Sequence, residues 1–316
     1  MMDVGSALSV AEQHFPLGPE KLAEQLGVRW WRTPLDGAAG WCIPTSSPVI
    51  VLNANDPSTR QRFTLAHELA HLVRGTPGLE LTRDRDLFTS DAQEEREANE
   101  LAASLLMPLR WLEAQALQAP IGKLVLNKLA AEANVSVPTL MYRIANCAAE
   151  LGFSTITVLR FDGEHLKSQF PPVNVSDELA GRLLSGAKST SNGIFRQPLT
   201  DGSVALGTLI ENPAFYTTVF VQIVSAQVAT LPSADEYLDR CKRYLFQDET
   251  RFVQKFGGCL GSFKSKNAEH SMPLEHAVHQ FLEQYAGKWH DPEHEVRLRT
   301  EMGLAWLRYR LSKWYH

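Results

Sequence analysis

Apolar residues first recur at helical spacing over about Gly18 to Gln25, where Leu22, Ala23 and Leu26 face inward, Pro19 suits the first turn and Gly27 ends the run. The period then shortens. Val28 to Thr33, Gly40 to Ile43 and Val49 to Leu52 are brief segments rich in Val, Ile, Trp and Thr, punctuated by Pro34-Leu35-Asp36-Gly37 and by Pro44-Thr45-Ser46-Ser47-Pro48. That texture predicts a small antiparallel sheet. A helix follows, with Asp56 as N-cap, Pro57 at the first helical position and Gly75 at its end. The next spans about Asp91 to Met107, carries Leu101, Leu105 and Leu106 at helical spacing, and stops before Pro108.

Helical patterning continues from Trp111 to about Glu150. Within it, Leu124 to Ile144 reads as two helices around an Asn134-Val135 turn, with Ser136 capping the second. Beyond Gly152 the texture changes again. Ser154 to Phe161 alternates like a strand, Ala205 to Ile210 and Phe220 to Val224 look similar, and Ala234 to Phe246 is helical. The expected fold class is α+β. A small antiparallel sheet packed on helices occupies 1–115, a helix-turn-helix-like segment 116–152, and a mixed α/β C-terminal domain 153–316, with Gly257-Gly258 as a candidate further division.

Composition narrows the class. A chain of 316 residues has the length for about two or three domains. Its 44% hydrophobic and 21% charged residues exclude bulk disorder. The 31 Lys and Arg against 36 Asp and Glu leave a net charge of -5, so no global field draws the chain onto nucleic acid or anionic lipid. The opening residues MMDVGSALSVAEQHFPLGPEKL do not read as a signal peptide, because no basic region precedes an apolar one. The most apolar stretch, Phe215 to Leu231, is interrupted by Thr217, Thr218, Gln222, Ser225, Gln227 and Thr230, so we expect a strand pair or buried element and no membrane association. Cys42, Cys147, Cys241 and Cys259 form no CxxC pair and suggest a reducing compartment; the expected location is the cytoplasm.

His67-Glu68-Leu69-Ala70-His71 is an HExxH motif on a predicted helix. Side chains four apart share a helical face, so His67 and His71 can each offer an imidazole nitrogen to one ion, with Glu68 beside it. Chance alone yields this motif in on the order of a few per cent of chains this size, as two solvated histidines on a surface helix. The surroundings oppose that reading. Phe63, Leu65, Ala66, Leu69, Ala70, Leu72 and Val73 make the helix apolar over most of its circumference. Two buried imidazoles and a carboxylate are costly unless they bind something. A catalytic zinc needs a third protein ligand and one open position. Glu95, 24 residues beyond His71 on the next helix, is the candidate. Asn99, one turn further, can accept from the far nitrogen of a ligating imidazole and fix its tautomer. Glu94, Glu97 and Glu100 fall on other faces and read as solvated charges.

FTLAHELAH followed by EREANELAASLLMP resembles the ImmA/IrrE family of zinc metallopeptidases, especially its radiation-response branch. The likeness covers about the first 150 residues, including VIVLNAN, DPSTRQRFTLAHE and the closing LLMP; Leu101 stands where many relatives carry Phe. The resemblance implies a gluzincin-like catalytic unit with zinc held by His67, His71 and Glu95, a catalytic carboxylate at Glu68 and a steadying role for Asn99. It also implies a protein substrate: a DNA-binding helix-turn-helix repressor, cleaved in a stress or mobile-element response. Mn could replace Zn in such N/O ligation. In the implied hydrolysis Glu68 takes a proton from water and passes it to the leaving amine. A second electrophile for the oxyanion is expected, with Tyr142 or an arginine as candidates. The rival readings are a DNA-binding regulator with a structural metal, and a protease-triggered effector with a ligand-sensing C-terminal domain. Oligomeric state is not legible.

The other signals are weaker. Around the helix-turn-helix-like stretch, Lys123, Lys128 and Arg143 stand against Glu132 and Glu150, a balance that favours a structural helix pair over a DNA reader. His276, His279, His290 and His294 read as exposed histidines, since no cysteine or carboxylate joins them into a second metal site. The glycines of Lys255 to Gly261 lack phosphate-loop spacing and read as a turn. Trp306, Leu307, Tyr309, Leu311 and Trp314 are expected to pack into the C-terminal domain or against a partner.

Overall fold

The computed structural model describes residues 2–43, 45, 47–76, 93–173, 175–190, 193–211, 216–267, 272–289 and 291–315. It opens on a helix that the sequence patterning missed, α1 (Val4–Gln13), capped by Asp3 and burying Ala7, Val10 and Ala11. The next helix, α2 (Gly18–Gln25), has the expected bounds and buries Leu22 and Ala23.

Strands β1 (Arg29–Thr33), β2 (Gly40–Ile43) and β3 (Val49–Asn53) form a sheet in the order β1-β3-β2. It is mixed rather than antiparallel. β1 runs parallel to β3, with Arg29 opposite Val49 and Thr33 opposite Asn53, and only β2 is antiparallel to β3. The cause is the connection 34–39, which carries the chain past the end of β3 to its far side. The Asn53 side chain pins that connection: it accepts from the Leu35 amide at 3.2 Å and donates to the Leu35 and Ala38 carbonyls at 3.0 and 2.8 Å. Every residue of the central strand β3 is buried.

Helix α3 (Ser58–Arg74) carries the HExxH motif and α4 (Gln93–Leu106) lies against it. Pro57, not Asp56, occupies the N-cap of α3. Asp56 instead holds the first turn from outside, pairing its carboxylate with Arg60 at 3.3 Å and accepting the Gln61 side-chain Nε2–H on its backbone carbonyl at 2.7 Å. Gly75 ends α3 in the left-handed conformation (φ 72°), as expected for a C-terminal glycine. Small residues let the two helices approach: Ala66 shares one core cluster with Ala102 and Ala103, and Ala70 shares another with Ala98.

Three further helices follow: α5 (Leu109–Ala114), α6 (Lys123–Glu132) and α7 (Val137–Asn146). The Ser136 hydroxyl caps α7 by accepting from the Thr139 amide at 3.2 Å. Residues Thr139 through Ala145 of α7 are all buried.

Strands β4 (Thr155–Asp162), β5 (His165–Phe170), β6 (Phe195–Pro198), β7 (Ser203–Glu211) and β8 (Thr217–Ser225) form an antiparallel sheet in the order β5-β4-β8-β7-β6. One face packs on helix α8 (Asp177–Ser189) through Leu159, Val219 and Leu183. Ile156, Val158, Ile210 and Phe220 belong to the same core cluster as Leu126 of α6 and Met141 of α7. Gln222, one of the polar interruptions of the apolar stretch, clasps Ile121 by accepting its amide at 2.9 Å and donating to its carbonyl at 3.0 Å. A single helical turn, α9 (Ala226–Ala229), follows β8.

The chain divides into compact units at 1–233 and 234–316. The expected boundary at 152/153 marks no such division, because the core of α6 and α7 runs on into the sheet. Residues 153–316 are mixed, as expected, but their strands all lie before the second unit, whose described residues form only helices: α10 (Ala234–Phe246), α11 (Thr250–Lys266), α12 (Leu274–Gln284), α13 (Pro292–Arg299) and α14 (Glu301–Leu311). Phe246, Phe256, Phe281 and Trp306 are among its core residues. Gly257 and Gly258 lie inside α11, so they form neither a turn nor a division. Trp306, Leu307 and Leu311 are buried as expected, while Tyr309 and Trp314 pack half-buried against them. His276 and His279 are exposed. His294 is buried instead and meets Glu249 at 2.6 Å, alongside Arg297, also at 2.6 Å. His290 lies outside the described residues. Among the described residues, no helix is long and apolar enough to cross a membrane.

Candidate metal centre

The local sequence places the centre on two rigid rods. α3 is buried along almost its whole length, so His67 and His71 are only 1% and 2% exposed. Glu95 enters from the first turn of α4 and is the accessible member, with its side chain 36% exposed. The Nε2 atoms of the two histidines lie 3.0 Å apart. Glu95 Oε2 is 3.3 Å from His67 Nε2, and Glu95 Oε1 is 3.3 Å from His71 Nε2. Bonds of about 2.0 Å in a tetrahedral site need donor atoms about 3.3 Å apart, so these three donors could hold one divalent ion.

The far nitrogens are held as well. His67 Nδ1 meets Asn99 Oδ1 at 2.8 Å, and His71 Nδ1 meets Thr76 Oγ1 at 3.3 Å. With each Nδ1–H donated to an oxygen, each Nε2 presents its lone pair to the shared space. Thr76 was not legible in the sequence as a site residue. The left-handed turn at Gly75 brings it back over the helix end, where its amide donates to the His71 carbonyl at 3.0 Å.

Glu68 is 2% exposed, and its Oε2 has no hydrogen-bond partner among the described residues. Burial pushes its carboxyl up to about 7, with the neighbouring His67 pulling down and Glu95 pushing up. Burial holds His71 below the ordinary histidine value, with His67 adding to the effect, which favours the neutral form that a metal requires. Glu95 is held below the ordinary carboxylate value, chiefly by its hydrogen bond with His67. Of the glutamates expected to be solvated, Glu94 and Glu100 are exposed, whereas Glu97 pairs with Arg74 from α3.

Two helices that bring an HExxH motif against a glutamate form a candidate divalent-metal site, and sequence comparison points towards metallopeptidases. Residues 23–145 match the Peptidase_M78 family model, the IrrE N-terminal-like domain, which supports assigning this segment to the ImmA/IrrE family. Radiation response metalloprotease IrrE of Deinococcus deserti is 34% identical over 113 residues, covering 32% of this chain and 37% of that protein. The chain therefore spans little more than a third of that relative's length. A Mycobacterium tuberculosis transcriptional regulator superposes with a TM-score of 0.49 at 17% identity, over 72% of this chain and 78% of that one.

Proposed function

We propose that this chain is a zinc-dependent cytoplasmic endopeptidase whose substrate is a DNA-binding transcriptional repressor. His67, His71 and Glu95 are the metal ligands, Glu68 is the proton-handling carboxylate, and Asn99 orients His67. The carrying observation is the convergence of three donor atoms from α3 and α4, all within 4.8 Å of one another, beside a buried carboxylate oxygen with no partner among the described residues. A bound zinc supplies Lewis-acid chemistry there, acidifying water and polarising a peptide carbonyl. Glu68 is suited to the proton transfers because it is buried beside the donors with one carboxylate oxygen left without a partner among the described residues. Asn99 keeps the His67 tautomer correct, and the exposure of Glu95 marks the side from which substrate arrives. An extended segment could add to β2, an edge strand with Trp41 and Ile43 exposed.

The burial of seven consecutive residues in α7 opposes a groove-reading role for the helix pair, since a recognition helix must present its face to DNA. We assign α6 and α7 to buttressing the peptidase. In this reading residues 153–316 carry regulation or recognition. The test is to incubate the zinc-loaded protein with the helix-turn-helix repressor encoded beside its gene and to map fragments by mass. Glu68→Gln is expected to retain the metal and lose cleavage. A Glu68→Gln variant that cut at the wild-type rate would remove the proposed base, and tight, salt-dependent binding to duplex DNA without cleavage would favour the regulator reading.

A further inference from the structure

We propose that a cleft beside the metal centre is a specificity pocket for an acidic side chain of the peptide substrate, with Arg143 as the recognising group; the inference rests on the peptidase reading above. The cleft, open to solvent, is lined by Asn99 and Ala103 of α4, Tyr142 and Arg143 of α7, and Phe170 at the end of β5. Asn99 ties it to the metal centre, because the same side chain meets His67.

Arg143 is the unusual feature. It is only 8% exposed, and its Nε donates to the Met107 carbonyl at 3.1 Å. Its two terminal nitrogens have no hydrogen-bond or ion-pair partner among the described residues. With its Nε anchored, the four N–H groups of the terminal nitrogens are unused and not sealed from the cleft, and a carboxylate matches that fork in shape and charge. Glu100 and Glu150 act on Arg143 through space, but neither comes within ion-pair distance of it. At the mouth, exposed Arg96 offsets exposed Glu100, so the buried charge is the one that selects. Tyr142 and Phe170, edge to face with centroids 5.1 Å apart, form an apolar wall for the methylenes of Asp or Glu.

The position follows from α4. Asn99 and Ala103 lie one and two turns beyond Glu95, about 6 and 12 Å along the axis. An extended peptide advances about 3.3 Å per residue. The pocket therefore receives a side chain about two to four residues from the bond being cut.

The test uses the full chain carrying Glu68→Gln, loaded with zinc, and a random octapeptide library with Asp, Glu, Asn and Gln in equal amounts. Peptides retained on the protein are sequenced by mass spectrometry. At one position Asp and Glu are expected to exceed Asn and Gln about tenfold or more. Arg143→Gln is expected to remove that preference while retention persists. If Arg143→Gln does not fold, Arg143→Lys keeps the charge without the fork and is expected to weaken the preference several-fold. Retention without an acidic preference, or a preference that survives Arg143→Gln, overturns the proposal. The chain with Glu68 intact, assayed in parallel, separates the two readings. Cleavage without acidic preference leaves the peptidase standing and fells the pocket, and acid-selective retention without cleavage does the reverse. Neither retention nor cleavage overturns both.

Discussion

Asn99 offers the sharpest test of the metal centre because it touches a proposed ligand without being one. Its Oδ1 lies 2.8 Å from His67 Nδ1, and both side chains are buried, at 3% and 1% exposure. Asn99→Ala removes the acceptor from a ring that water does not reach. The imidazole can then take the other tautomer, which turns a proton rather than a lone pair towards the metal position. Loss of such an orienting partner typically weakens metal binding about 10- to 100-fold, or about 1.4 to 2.7 kcal/mol. Asn99→Asp keeps an acceptor and adds charge, so it is expected to hold zinc at least as tightly as the wild type. The assay is zinc competition against a chromophoric chelator at fixed pH, with thermal melting of the metal-free proteins as a fold control. Equal zinc affinity in the Ala variant and the wild type, with unchanged folding, would refute the orienting role. Equal weakening in the Ala and Asp variants would show that volume matters there, not the acceptor.

Two further predictions concern the scaffold. Arg62 is 6% exposed and bolts three elements together: it bonds Glu20 at 2.8 Å, the Ala133 and Asn134 carbonyls at 2.7 and 3.2 Å, and the Pro16 carbonyl. Arg62→Met leaves those acceptors buried or half-buried, and a loss of about 3 kcal/mol is expected in urea unfolding; less than about 1 kcal/mol would mean that water replaces the guanidinium. The Cys42 thiol is pushed up to about 12, first by burial and then by the charge of Glu68. A group that keeps its proton longer when folded contributes stability below its unfolded value, near 9, and loses it as pH rises through 12. Cys42 is therefore expected to resist alkylation at pH 8 while the less buried Cys259 reacts first; rapid native-state labelling of Cys42 would contradict its burial.

How much of this was legible depended on how local each signal was. His67, Glu68 and His71 declare themselves because their relation is set by one helical turn, and Asn99 follows Glu95 by the same rule. The direction of β1 is different. A five-residue strand looks the same whether its neighbour is parallel or antiparallel, and what decides is a side chain 18 residues away, Asn53 pinning the connection at Leu35. Helix α1 was missed because Ala7 and Ala11 carry little hydrophobic contrast, although Asp3 capping Ser6 was available as a start signal. Gly257 and Gly258 suggested a break, yet both lie within a helix where a Cβ would meet nothing within 4 Å, so their punctuation has no structural meaning. The change at residue 152 was a real change of period and a false boundary. Alternation from Ser154 to Phe161 identifies a strand, but it does not say that both of its faces are buried or that Ile156 and Val158 join the core of the preceding helices.

That shared core changes how regulation by the second half should be tested. α3 and α4 form the partition between two cores. Leu65, Leu69, Ala98 and Leu105 belong to the one beneath the first sheet, while Phe63, Ala66, Ala102 and Leu106 belong to the one that also holds Met141, Ile156 and Phe220. The metal centre thus stands on helices held from both sides, and the second side includes the sheet beyond residue 152. Truncation after about residue 150 would strip Ile156, Val158, Ile210 and Phe220 from that cluster, exposing apolar surface behind the helices that carry the donors. Activity lost in that way would report a damaged scaffold rather than a missing sensor. A chain ending at Ser233 keeps the cluster and removes only the second compact unit. If residues 234–316 restrain the enzyme, that shorter chain is expected to cut the repressor without an inducing signal and to melt close to the first transition of the full protein. Unchanged cleavage and unchanged control in the shorter chain would place any regulation in the first unit, where the sheet packs on α6 and α7, and α7 in turn on α4.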